Sequence, residues 1–205
     1  MSSTDGLHAD ALALLRTWAP PTSGQASLRD RYVAHLEAQP TGMTRDCYPD
    51  HLTASTLVLS RDGSHVLLTL HAKARRWFQF GGHCEAGDPT LAAAAEREAV
   101  EESGLTGLRV DPAPVQLSEH AVPFCDPRGG VRHLDVRFLA IAPEGADHAV
   151  SEESLDVRWW PADALPDDDL ADLVRLARER QSTSPGASVP SSGGSSRAAA
   201  DQPSR

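Results

Sequence analysis

GGHCEAGDPTLAAAAEREAVEESGL, residues 81–105, joins a paired-glycine loop to a helix with clear local start and stop signals. Asp88 is expected to cap the helix N-terminus by accepting from free backbone N–H groups, with Pro89 at the first helical position. Leu91 to Ala95 favours helix, and Gly104 can take the left-handed conformation that ends one. Glu98, Glu101 and Glu102 follow the spacing i, i+3, i+4, so their carboxylates share one face. Like charges there repel, and the helix C-terminus adds its own partial negative charge, each by some tenths of a kcal/mol when exposed. A solvated acidic face and a face that holds a hard divalent cation both fit the spacing; the cation turns every one of these repulsions into attraction. Gly81, Gly82 and Gly87 add a loop that a ligand or another backbone can approach closely.

Taken in order, these residues resemble the Nudix box, the signature of the Nudix hydrolase superfamily. Gly82, Arg97, Glu98, Glu101, Glu102, Gly104 and Leu105 match it. Three departures are visible. Asp88 stands where the pattern has Glu, eight residues in place of seven separate Asp88 from Arg97, and Ala99 is a small residue at an apolar position. The extra residue must be absorbed by the start of the helix or by the loop before it. The resemblance implies a Nudix-type α/β/α sandwich with a mixed β-sheet, in the α/β class, over residues 51–180. An N-terminal helical extension over 1–50 and a disordered tail over 181–205 complete the expected organisation.

The resemblance also implies a chemistry: Mg2+- or Mn2+-dependent hydrolysis of the pyrophosphate linkage in a nucleoside diphosphate joined to a further group. The substrate is then a small nucleoside diphosphate or triphosphate derivative. Carried over residue by residue, Glu98, Glu101 and Glu102 are the expected metal ligands, Glu98 either directly or through water or as the group that orients the nucleophile, and the Gly81 carbonyl is a further oxygen donor. Arg97 is expected to fix a box carboxylate by an ion pair, and Glu85 to be exposed or an outer ligand. The general base varies among such enzymes and often lies on a later loop. Glu152 and Glu153 offer it here, with Glu153 carried as the candidate and His83, His120 and His133 as others. Arg75 and Arg76, the basic doublet ahead of the box, are either phosphate-contacting or solvated. Two other classes remain compatible: a non-catalytic nucleotide-sensing module, and an isoprenoid-diphosphate isomerase, for which Cys84, His51 and His83 would matter. Subfamily markers do not choose a substrate. Pro123 falls just beyond the ADP-ribose position, no tyrosine follows the box, and the coenzyme A and NADH patterns are absent.

Composition narrows the setting. With 205 residues, 40% of them hydrophobic, the chain can bury a sizeable core. No apolar run approaches the length of about 18 residues that a membrane helix requires, and the start lacks a secretory pattern. Cys47, Cys84 and Cys125 are sparse and odd in number, which fits a reduced, cytoplasmic protein. A formal net charge of -10 argues against general nucleic-acid binding but not against a small phosphorylated substrate, because metal and local arginines reverse the field in one cleft.

Along the chain, Ala11–Ala19 and Ser27–Ala38 read as amphipathic helices whose apolar faces need cover, either from the domain or from a second subunit in a homodimer. Residues 39–53 read as a connecting loop. Ala54–Leu59 and Val66–Leu70 read as a hairpin. Trp77, Phe78 and Phe80 are expected beneath the box. Strands follow around 107–121, 131–141 and 155–160, then a helix over Asp167–Arg180 with an acidic first turn and a basic last turn.

Overall fold

The computed structural model describes residues 3–145, 147–150 and 154–183. Its central element is strand β1, Asp50–Leu59, buried along nearly all its length. Residues 50–53, expected in a loop, are thus part of the central strand. Their polar side chains hid the pattern: His51, Thr53 and Ser55 alternate with Leu52 and Ala54, and their hydrogen bonds are met inside the fold. His51 lies within reach of the Cys47 carbonyl, while Thr53 and Ser55 donate to Asp135.

One edge of β1 pairs in parallel with β6, Arg132–Ile141, in continuous register from Asp50↔Arg132 to Leu59↔Ile141. The other edge is shared. Strand β4, Phe80–His83, lies antiparallel to residues 53–56, and β2, His65–His71, pairs at Val58 and Leu59. Strand β5, Gln116–Ala121, extends the sheet beyond β6, while β3, Trp77–Phe78, and β7, Ser154–Pro161, both pair with β2. The sheet is mixed and seven-stranded.

Side chains alternate across its two faces, and the helices follow that alternation. Leu52 and Ala54 of β1, with Leu134, Val136 and Phe138 of β6, face helices α1 (Ser3–Thr17), α2 (Ser23–Ala38) and α3 (Leu91–Ser103). Leu57 and Leu59, with Leu139, face α4 (Ala171–Thr183), which a short 3-10 turn at Asp168–Leu170 introduces. Helices therefore cover both faces, an α/β/α sandwich. Helix α4 runs three residues past the expected end; the rest of the tail, from 184, lies outside the described residues.

The apolar faces of α1 and α2 lie against their own sheet. Leu7, Ala11, Leu15 and Trp18 of the first segment and Tyr32 and Leu36 of the second are buried in the same cluster as α3. The Trp18 indole donates to the Pro114 carbonyl at 2.8 Å. Gln25 exchanges both amide bonds with the Leu117 backbone, accepting at 2.6 Å and donating at 3.0 Å, and so occupies a peptide edge on β5 as a strand neighbour would. Leu15→Ala should lower stability by about 2–5 kcal/mol, because a fully buried leucine leaves a cavity. Urea denaturation measures this; an unchanged midpoint would place α1 outside the cooperative unit.

Candidate active site

The site starts from two glycines without room for a side chain. Gly81 has φ +154, and a Cβ on it would lie 2.3 Å from the Ser55 Cβ on β1. A Cβ on Gly82 would lie 2.7 Å from a carboxylate oxygen of Glu98. The absence of side chains lets α3 lay its acidic face directly on the β4 backbone. There the Gly81 N–H donates to Glu102 Oε2 at 3.2 Å.

The loop between β4 and α3 departs from the expected cap. Thr90 is the N-cap, accepting from the Ala93 N–H at 3.1 Å, and Asp10 of α1 accepts from the Leu91 N–H at 2.8 Å. Neither Asp88 nor Pro89 belongs to the helix, which begins at Leu91 and leaves both in the loop ahead of the Thr90 cap. Gly104 ends the helix in the left-handed conformation, φ 70.

Asp88 is instead the partner of Arg97. The pair is a fork, Nε to Oδ1 and Nη2 to Oδ2, both 3.0 Å, and the same carboxylate accepts from the Glu85 N–H at 2.7 Å. Arg97 Nη1 reaches Glu98 at 2.9 Å and Glu101 at 3.3 Å, and Nη2 donates to the His83 carbonyl at 3.0 Å. These bonds, those to Asp88 first, hold the guanidinium charged well beyond its ordinary range. One cation thereby ties the glycine strand, the loop and two box carboxylates together.

The three glutamates differ in setting. Glu102 is buried against Gly81, Glu98 is half-buried against Gly82, and the Glu101 side chain is 59% exposed. Their oxygens do not converge on one point: the group whose ligand atoms do, among the described residues, is His51, His83, Cys125 and His133. The guanidinium lying between Glu98 and Glu101 supplies the positive charge instead. Even so, the donor set fits a hard divalent cation, being carboxylate oxygen beside glycine backbone that nothing else can fill.

Of the basic doublet, Arg75 is exposed in the turn between β2 and β3, with φ 57. Arg76 is engaged by Asp167 and Asp169 at 2.6 and 2.7 Å and ties this turn to the segment ahead of α4. Glu152 and Glu153 lie outside the described residues. Trp77 meets Trp160 edge to face at 5.2 Å, whereas Phe80 is fully buried.

The His/Cys group is not expected from sequence, where His83 and His133 are candidates for the base and His51 and His83 enter only with Cys84 in the isomerase alternative. A signal exists: His51-Leu52-Thr53 and His133-Leu134-Asp135 are matching His-Leu-polar triplets on two strands, and register sets His51 opposite His133. His83 lies on the neighbouring β4, opposite Thr53, and the three ring centroids stand 4.8–5.0 Å apart.

A glycine strand clasped to an acidic helix on an α/β/α sandwich defines a class, and comparison with known proteins gives the same answer. The family model described as NUDIX domain matches residues 49–179, and the chain belongs to that family. The fold is shared with a C. elegans Ap4A hydrolase in a binary complex, at 21% identity and TM-score 0.52 over 64% of this chain and 95% of that one. It is shared too with the MutT protein from Methanosarcina mazei Go1, at 19% identity and TM-score 0.50 over 64% and 96%. The E. coli dihydroneopterin triphosphate pyrophosphohydrolase aligns at 17% identity and TM-score 0.50 over 62% and 95%. No curated protein matches the chain in a sequence search. Among the described residues no helix is long and apolar enough to cross a membrane.

Replacing Arg97 by Ala should destabilise the protein by roughly 2–4 kcal/mol, because Asp88 is left buried without its partner. Arg97→Lys should recover only part of this, since an ammonium cannot reproduce the fork. Equal denaturation midpoints for Arg97→Ala and the parent would contradict the assigned role.

Proposed function

We propose that the protein is a divalent-metal-dependent hydrolase that cleaves the pyrophosphate linkage of a nucleoside diphosphate joined to a further group. The observation that carries this reading is the contact of Glu98 and Glu102 with the side-chain-free backbone of Gly81 and Gly82. Glu98, Glu101 and Glu102, with the Gly81 carbonyl, would hold Mg2+ or Mn2+. Such an ion, when bound, offsets charge developing on phosphoryl oxygens and lowers the pKa of a bound water.

The chain's own groups then have separate tasks. Arg97 is a positioning residue: its fork to Asp88 fixes the loop, and its remaining nitrogen, Nη1, holds Glu98 and Glu101 at the site. Gly82 keeps the floor low enough for a diphosphate to approach the carboxylates. Arg75, exposed at the β2–β3 turn, is available to a phosphate; Arg76 would first have to leave Asp167 and Asp169. Glu153, just ahead of β7, is the proposed base. The compounds named for two structural neighbours, Ap4A and dihydroneopterin triphosphate, share a polyphosphate chain esterified to an organic group and support a substrate of that class.

The isomerase reading gains no support from Cys84. Its side chain packs against the helix-side apolar cluster, and burial pushes the thiol up to about 12.

A panel of nucleoside diphosphate and triphosphate derivatives, assayed with Mg2+ and with product identification, tests the proposal. Glu101→Gln and Glu102→Gln should remain folded and lose turnover by about 100-fold or more, a loss expected when charge stabilisation at the reacting phosphorus is removed. Glu153→Gln should lower turnover more than it raises KM. Full turnover in the Glu101→Gln/Glu102→Gln double variant would overturn the assignment.

A further inference from the structure

We propose that His51, His83, His133 and Cys125 form a four-ligand site for a borderline transition-metal cation, best suited to Zn2+, that uses none of the α3 carboxylates. Four separate segments deliver the ligands: β1, β4, β6 and the loop over residues 122–130. Their ligand atoms all lie within 4.8 Å of one another. His51 Nε2 and His83 Nε2 are 3.0 Å apart, and Cys125 Sγ lies 3.9, 3.5 and 3.4 Å from the Nε2 atoms of His51, His83 and His133. A tetrahedral zinc, with bonds of about 2.0–2.1 Å to nitrogen and about 2.3 Å to sulfur, sets its nitrogens about 3.3 Å apart and nitrogen from sulfur about 3.6 Å. The nitrogen–sulfur edges of 3.4–3.9 Å bracket their value, the 3.0 Å His51–His83 edge is a little short of its own, and the remaining edges lie within 4.8 Å, so the rings draw together on binding.

The donor chemistry selects the cation. Three imidazoles and a thiol suit zinc and its neighbours in the first transition row, and disfavour Mg2+, which requires oxygen. The Cys47 carbonyl, 3.2 Å from His51 Nδ1, fixes that ring with Nε2 toward the group, as an outer partner does at metal sites.

One contact has to change. Arg45 donates to His83 Nδ1 at 2.9 Å, which places the ring proton on Nε2, facing His51. A cation on Nε2 requires that proton at Nδ1, and the exposed Arg45 turned away. Binding also displaces the Cys125 thiol proton to solvent as the sulfur–metal bond forms.

With four protein ligands the site is closed, which is the structural type. It would clamp the 122–130 loop across the sheet end and steady His83, next to Gly82. It stands independently of the hydrolase reading.

The test uses the full chain, reduced and stripped of metal by a chelator. Co2+ should give the intense visible bands of tetrahedral cobalt with a thiolate charge-transfer band, and the band should persist in Cys47→Ser/Cys84→Ser, which keeps Cys125 as the one cysteine. Zn2+ titration against a chromophoric chelator should find one tight site per chain. Cys125→Ser and His133→Ala, checked by circular dichroism, should each weaken it by at least about 100-fold, since losing a ligand exceeds the 10–100-fold typical of an outer partner. The Glu98→Gln/Glu102→Gln variant should bind Zn2+ as the parent does. A weak octahedral cobalt spectrum without a thiolate band would overturn the proposal. So would Zn2+ affinity that survives His133→Ala or vanishes with the two glutamates. Loss of hydrolysis with Zn2+ binding intact would bear on the carboxylate site alone.

Discussion

The fork between Arg97 and Asp88 is the interaction on which the rest of the site depends. Two parallel bonds of 3.0 Å fix the loop to the helix, Nη1 is left for Glu98 and Glu101, and Nη2 also donates to the His83 carbonyl. Without a cation there, three carboxylates on one helical face and a fourth in the loop would repel one another, beside the partial negative charge of the helix end. The steric condition is as strict as the electrostatic one. A Cβ on Gly81 would collide with the Ser55 Cβ and the β1 backbone, and one on Gly82 would push the Glu98 carboxylate out of place, so the acidic face keeps its seat on the strand because both side chains are missing.

The same sheet divides its second face between two purposes. Near the C-terminal end of β1, Leu57 and Leu59 bury against α4; near its start, His51, Thr53 and Ser55 build a polar floor with His133, Asp135 and Arg137. Burial is the largest influence on Asp135 and opposes its charge. Arg137, His120 and the bonds from Ser55 and Arg137 together outweigh that, and hold the carboxyl below its usual range. Such a floor contributes little by hydrophobic burial and is retained only because its hydrogen bonds are satisfied.

The acidic face of α3 was legible because Arg97, Glu98, Glu101 and Glu102 lie within one helix, ended by Gly104, where spacing alone fixes the face. The sandwich followed from the family resemblance, and the main strands and helices from periodicity. The helix start was misplaced because Asp88 and Thr90 are both good caps. Only the position of Arg97 in space shows that Asp88 is engaged elsewhere. The first residues of β1 were taken for loop because buried polar residues break the apolar pattern. The His/Cys group left only the paired triplets as a trace, because its histidines are brought together by strand register across residues 51–133, a non-local quantity that no single stretch encodes.

Mn2+ binding followed by electron paramagnetic resonance tests the central claim, that the acidic face of α3 laid on Gly81 and Gly82 is a divalent-cation site. The account predicts saturable Mn2+ binding that is lost in Glu98→Gln/Glu102→Gln and in Gly82→Ala, and retained in Cys125→Ser. Mn2+ binding of equal strength in the parent and in the folded Glu98→Gln/Glu102→Gln variant would contradict it.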